Sequence, residues 1–180
     1  FEEKPRAISW LEDSNQRDQF VIRQGTEMSV HWHDGKSDPV VDYDGLKQRE
    51  MGVPWCESYC LWSPNGSYLA TLVPARGVIL WSGPEYTKTS RFLAPGVKHV
   101  IFSPKENYML TSNNDPDDPA ALQVFDVHSG QLLRAFYLYP DQVSRDGPPP
   151  PFLWSHDEKY LARMGVDLIR IFETPSMKLL

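Results

Sequence analysis

Long hydrophobic runs are missing from this sequence. No stretch approaches the roughly 18 apolar residues that mark a membrane helix, so nothing is expected to span a bilayer. A surplus of basic charge is missing too: 18 Lys and Arg stand against 24 Asp and Glu, a formal net charge of -6. Wrapping nucleic acid through bulk electrostatics takes clustered Lys and Arg, so a dedicated nucleic-acid domain is not expected, while local basic spots could still touch RNA. Cysteine is scarce. Cys56 and Cys60 cannot build a disulfide framework, their spacing is wrong for a Cys-x-x-Cys knuckle, and no second pair exists, which fits a reducing compartment. No secretory signal opens the chain, and it begins on Phe1 rather than Met, which reads as a piece of a longer polypeptide.

Chemistry-bearing motifs are equally absent. There is no Gly-x-Ser-x-Gly elbow, Walker loop, dinucleotide fingerprint or His-Glu-x-x-His helix. No catalytic residue, cofactor or small-molecule substrate is therefore expected. His31 and His33 flank Trp32 on one strand and share a face, with Asp34 next, but two His without a third ligand read as polar residues beside a Trp rather than as a metal site.

Aromatics and turn formers are what the sequence has. Six Trp, eight Tyr and eight Phe can pack an interior, and 16 Pro with 11 Gly leave few windows for long helices. Three segments superimpose: Trp62-Ser63-Pro64-Asn65-Gly66-Ser67-Tyr68-Leu69, Phe102-Ser103-Pro104-Lys105-Glu106-Asn107-Tyr108-Met109, and Trp154-Ser155-His156-Asp157-Glu158-Lys159-Tyr160-Leu161. Each joins an aromatic and a Ser to a Tyr and an apolar residue across a short polar turn, a hairpin pattern. Each is followed by an alternating run ending on an aromatic, and Met28 to Trp32 matches those runs. The anchoring aromatics Trp32, Trp81, Phe125 and Phe172 are separated by 49, 44 and 47 residues.

A period in the forties with several short strands per unit matches β-propeller blades, because strands alternate where helical repeats would show a 3.6-residue period. Fourth strands are expected at Val40 to Tyr43, Thr87 to Leu93, Gln131 to Leu138 and Pro175 to Leu180. The chain reads as all-β: a partial propeller of about four consecutive four-stranded blades, at residues 1–50, 51–95, 96–147 and 148–180. Trp10, Trp32, Trp62, Trp81, Phe102, Phe125, Trp154 and Phe172 are expected to be structural blade aromatics filling the wedges between sheets. Phe125-Asp126 with Gly130 resembles the Trp-Asp signature of WD repeats, although no Gly-His dipeptide precedes a first strand.

Two insertions are too polar and Pro-rich to be strand. Residues 113–119 carry Asp115, Asp117 and Asp118, and residues 141–151 carry Arg145 and a run of four prolines that includes Pro149. Both are candidate partner-contact loops, since propellers bind through rim loops on a rigid frame.

The residues resemble one family in particular. Trp10-Leu11-Glu12-Asp13 with Arg17-Asp18-Gln19-Phe20, the Trp62 hairpin followed by Gly77-Val78-Ile79-Leu80-Trp81-Ser82-Gly83, and Trp154 to Met164 continuing into Ile171-Phe172-Glu173-Thr174-Pro175-Ser176-Met177 are similar to the propeller of the b subunit of eukaryotic translation initiation factor 3. The resemblance covers essentially all 180 residues. It implies a nine-bladed propeller of which this chain holds about four blades, in a non-catalytic cytoplasmic scaffold. That scaffold would dock other subunits of the factor (g, i and a) and the proteins and rRNA of the small ribosomal subunit. Lys88, Arg91 and Arg145 are the local cations that could give ribosome association a salt dependence. A generic WD-type adaptor, and the propeller half of a serine peptidase whose catalytic domain lies elsewhere, are the alternative readings.

Overall fold

A computed structural model of the chain describes residues 15, 17–52, 54–138, 152–165 and 167–180. It is built almost wholly of antiparallel sheet. Strands β1 (Asp18–Gln24), β2 (Glu27–His33) and β3 (Val40–Tyr43) form the first sheet in the order β1-β2-β3. The second sheet orders β4 (Tyr59–Trp62), β5 (Leu69–Val73), β6 (Gly77–Ser82) and β7 (Thr87–Phe92) as a meander. The third does the same with β8 (His99–Phe102), β9 (Tyr108–Ser112), β10 (Leu122–Asp126) and β11 (Leu132–Phe136). The fourth uses β12 (Phe152–Trp154), β13 (Tyr160–Met164), β14 (Ile169–Glu173) and β15 (Lys178–Leu179). Each four-stranded meander is a propeller blade. Trp10, expected as a blade aromatic, lies outside the described residues.

The repeated hairpin has a local cause. In its three copies the Ser amide donates to the Tyr carbonyl at 2.9 Å, closing the turn, while the Ser hydroxyl accepts from the Tyr amide: Tyr68 to Ser63 at 3.0 Å, Tyr108 to Ser103 at 2.9 Å and Tyr160 to Ser155 at 3.0 Å. One small side chain therefore satisfies a backbone donor that the turn strips from the ladder. The fifth position of each copy is left-handed, with φ of 72° at Gly66, 66° at Glu106 and 62° at Glu158.

The turns between third and fourth strands repeat as well. Asp126 accepts from the Ser129 amide at 2.7 Å and the Ser129 hydroxyl at 2.8 Å, ahead of Gly130 at φ 73°. Burial works against the charge, but these two donors hold the Asp126 carboxyl below the usual range. Sequence logic expects Gly at such a position. The equivalent residues are Tyr86, φ 47°, and Met177, φ 52°. Both are buried, at 5% and 1% exposure, so their packing offsets the backbone strain. Gly77 is a stricter case: at φ 94°, a Cβ would lie 1.9 Å from the Phe92 carbonyl oxygen, and only glycine fits.

By compactness the chain forms two units, one of residues 1–73 with 79–89 and the other of 74–78 with 90–180. The core of the first gathers Met28, Val30, Trp55, Leu69, Val73, Ile79, Trp81 and Tyr86. That of the second gathers Leu110, Leu122, Val124, Phe136, Phe152, Leu161, Phe172 and Met177. β5 is buried along its whole length, which its unbroken run Leu69-Ala70-Thr71-Leu72-Val73 permits. A five-residue helix, α1 (Leu46–Glu50), interrupts the β architecture; the Asp44 carboxylate accepts from the Leu46 amide at 3.0 Å and pairs with Arg49 at 2.8 Å.

Candidate functional site

The expected blade aromatics occupy two kinds of place. Trp81, Phe102, Phe125 and Phe172 are buried, at 6%, 8%, 4% and 3% exposure. Trp32, Trp62 and Trp154 are half-buried at the ends of β2, β4 and β12, and Trp10 lies outside the described residues. Trp81 donates its indole N–H to the Thr71 hydroxyl at 2.8 Å inside the second sheet. Trp154 stacks on Tyr108 at 5.4 Å.

The first unit carries a cleft where β2, β4, β6 and the turn after β6 converge. Trp32, Trp62, Trp81 and Tyr86 line it together with Gln19 and Asp42, around a volume of about 340 Å³. Tyr86 stacks on Tyr43 at 5.1 Å and meets Trp55 edge-on at 6.0 Å, which fixes the phenol. Its hydroxyl donates to Asp42 Oδ2 at 3.0 Å and accepts from Gln19 Nε2 at 2.9 Å, and Gln19 Nε2 also lies 3.0 Å from Asp42 Oδ2. Burial, then the bond to the Asp42 carboxylate, push the Tyr86 phenol up. Strict alternation would send Asp42 and Tyr43 to opposite faces. A bulge allows both to reach Tyr86: Tyr43 pairs with Val30 and Val41 with His31, leaving Asp42 as the extra residue. Nothing in the sequence announces that bulge, and the cleft it completes is a finding of the structure alone.

The acidic loop of the second unit is tightly self-bonded. Asn113 Nδ2 donates to Asp118 Oδ2 at 2.6 Å, and Asp118 Oδ1 accepts from the Ala120 amide at 2.8 Å. Asp115 accepts from the Asp117 amide at 3.1 Å, and its own amide donates to Asn113 Oδ1 at 2.9 Å. Asp118 is half-buried and engaged within the loop, whereas Asp115 and Asp117 are exposed. Arg145 and Pro149 lie outside the described residues. Lys88 and Arg91 are exposed on β7, the outer strand of its sheet, where charge guards an edge, and Arg91 Nε donates to the Arg76 carbonyl at 3.1 Å.

The two cysteines, which sequence alone left undecided, come together. Cys56 donates its thiol to the Tyr59 carbonyl at 3.1 Å. The proximity of the two sulfurs pushes Cys56 up and draws Cys60 down to about 7, against the opposing effect of burial and with help from Arg23. His31 stacks on Phe20 at 5.3 Å and bonds the Ser29 hydroxyl at 2.7 Å. Asp34 turns back on its own loop, taking the Ser37 amide at 2.8 Å and the Lys36 amide at 2.9 Å, which bring its carboxyl down to about 2. Among the described residues, no three His, Cys, Asp or Glu side chains gather as metal ligands do, and no helix is long and apolar enough to cross a membrane.

No family model matches the chain. Curated relatives do. The B subunit of eukaryotic translation initiation factor 3 from Xenopus laevis is 38% identical over 177 residues, 96% of this chain and 24% of the relative. Its namesake from Mycosarcoma maydis is 36% identical over 203 aligned positions, covering 100% of this chain and 26% of the relative. The chain belongs to the family of the B subunit of eukaryotic translation initiation factor 3. The Schizosaccharomyces pombe member is 36% identical across 99% of this chain and 27% of its own length. The chain thus spans about a quarter of the length of the curated relatives it matches. Among solved structures, the crystal structure of a eukaryotic initiation factor matches 90% of this chain and 38% of its own with a TM-score of 0.67. At 18% identity that likeness speaks for the fold, and it agrees with blades of a β-propeller. In this member of the initiation factor 3 family, the Trp-Ser hairpins and the Glu-Thr-Pro-Ser-Met turn carry the blade geometry.

Proposed function

We propose that the chain is part of a non-catalytic scaffold of the translation initiation factor 3 complex, working in the cytoplasm. Its blades dock other subunits of the factor and the small ribosomal subunit during initiation. The observation that carries this reading is similarity to initiation factor 3 relatives along the whole chain. The physical arrangement supports it: sheets with buried aromatic seams present preformed turns, so docking costs little ordering. The divisions at residues 1–50, 51–95, 96–147 and 148–180 are proposed as the blades of that frame. Within it, Asp115 and Asp117 are proposed as contact residues, because the loop holds them outward without spending all their acceptor capacity.

The reading is tested by affinity capture of the full-length protein from gently lysed cells, followed by gradient sedimentation and mass spectrometry. Co-migration with small ribosomal subunits and other subunits of the factor is expected. Their absence at moderate salt, or companions typical of another assembly, would overturn it.

A further inference from the structure

The cleft of the first unit combines three features that one kind of ligand needs. Its walls are aromatic: Trp32, Trp62, Trp81 and Tyr86. It contains a carboxylate, Asp42, both of whose hydrogen bonds from the described residues fall on Oδ2, leaving Oδ1 to accept from something else. And the chain already sets a guanidinium on one of these indoles, since Arg17 lies 4.8 Å from the centroid of the Trp32 ring.

We propose that this cleft is a binding site for an arginine side chain presented by a partner polypeptide. A planar guanidinium stacks on an indole face through cation–π attraction and dispersion, and its edge donates to a carboxylate. Asp42 is suited to that second role. The bulge in β3 turns it to the cleft, and the Gln19 amide and Tyr86 hydroxyl fix it through one oxygen, so little side-chain freedom remains to be lost on binding. A cleft of about 340 Å³ falls within the roughly 300–1,000 Å³ range of ligand sites and exceeds what one side chain fills. Flanking residues of the partner segment then have room beside the guanidinium. The carboxylate also selects: it repels a phosphate backbone, which argues against an unpaired RNA base stacked on the same tryptophans, and it would be left unpaired by an apolar side chain. The inference rests on the scaffold reading insofar as it names what a docked partner must present.

The test uses the full-length protein labelled with 5-fluorotryptophan, its resonances assigned by single Trp→Phe variants. Acetyl-Gly-Arg-Gly-amide is titrated in, with the citrulline peptide as the uncharged control of the same shape. Saturable shifts confined to Trp32, Trp62 and Trp81 are expected with the arginine peptide and not with citrulline. Asp42→Asn should weaken the response by roughly tenfold. Asparagine keeps an oxygen for Gln19 and Tyr86, so an unchanged melting temperature separates lost binding from lost folding. Equal shifts with citrulline, no response to arginine, indifference to Asp42→Asn, or a short uridine oligonucleotide moving the same signals more strongly would each overturn the proposal. Gradient sedimentation of the same samples keeps the two readings apart. Ribosome association without an arginine response removes the cleft and leaves the scaffold; an arginine response without ribosome association does the reverse.

Discussion

The carboxylate of Glu158, in the first hairpin of the fourth sheet, accepts from the side-chain amide of Asn107 in the first hairpin of the third, at 2.5 Å. Its other oxygen accepts from the Lys105 backbone amide at 2.5 Å, and the residue is only 4% exposed. One side chain thus ties two equivalent turns together, from a backbone held at φ 62°. The left-handed strain and the latch belong to the same residue, and they can be separated.

Glu158→Ala should cost about 2 kcal/mol, since it removes two hydrogen bonds to a charged group, made by the exposed Lys105 backbone and the half-buried Asn107 side chain. Glu158→Gly loses the same bonds but relaxes the backbone, and should cost about 1 kcal/mol less. Chemical denaturation of both variants decides the matter. An alanine variant as stable as the glycine one would mean the left-handed turn carries no strain.

Inside the second sheet, Trp81→Ala should cost about 3–5 kcal/mol because the ring is buried. The more informative change is Trp81→Phe, which keeps an aromatic but orphans the Thr71 hydroxyl, at a cost of about 1–3 kcal/mol for the buried polar group. Adding Thr71→Val should then restore part of that loss. A double-mutant cycle that came out additive would show that the indole–hydroxyl bond contributes nothing of its own.

The cysteine pair gives a pH signature. Folding lowers the Cys60 thiol to about 7, so the thiolate is favoured in the folded protein above that pH and lost as pH falls through it. Alkylation of the native protein, followed by mass spectrometry, should therefore modify Cys60 with a midpoint near pH 7 and spare the buried, protonated Cys56. Cys56→Ala removes the neighbouring thiol that draws Cys60 down and should move the midpoint upward. A native midpoint at the free-thiol value of about 8.5 would rule out a thiolate stabilised by its neighbour.

In the acidic loop, Asp117→Lys and Asp118→Ala should separate docking from stability. Asp117 is exposed and its carboxylate is reversed at a cost within about 0.5 kcal/mol, so thermal melting should barely change while capture of a partner weakens. Asp118 holds both the Asn113 amide and the Ala120 amide, and its loss should lower the melting temperature directly. Partner capture unaffected by Asp117→Lys would take this residue out of the proposed contact.

Features that depend on neighbours in the chain are legible in the residues themselves. The Ser-to-Tyr turns and the fourth strands at β3, β7, β11 and β15 follow from short-range rules, one hydroxyl capping one amide and strand formers set between turn formers. The alternation expected of the run from Gly77 to Trp81 fails, because β6 is buried from Gly77 to Trp81. The helix α1 escapes such a reading because its five residues make little more than one turn, too few to show a recurring 3.6-residue pattern. Tyr86 and Met177 show burial overruling a local rule, since packing offsets a left-handed backbone that sequence logic reserves for glycine. The Asp42 bulge and the reach of Glu158 to Asn107 are tertiary decisions. Each depends on register between strands or on the approach of one sheet to the next, and those distances are set by how whole faces pack. The repeated Ser-to-Tyr turns and the places of the strands were therefore determined by the sequence alone, because their causes lie within a few residues. The cleft and the latch were decided only when folding brought together residues that no local rule connects.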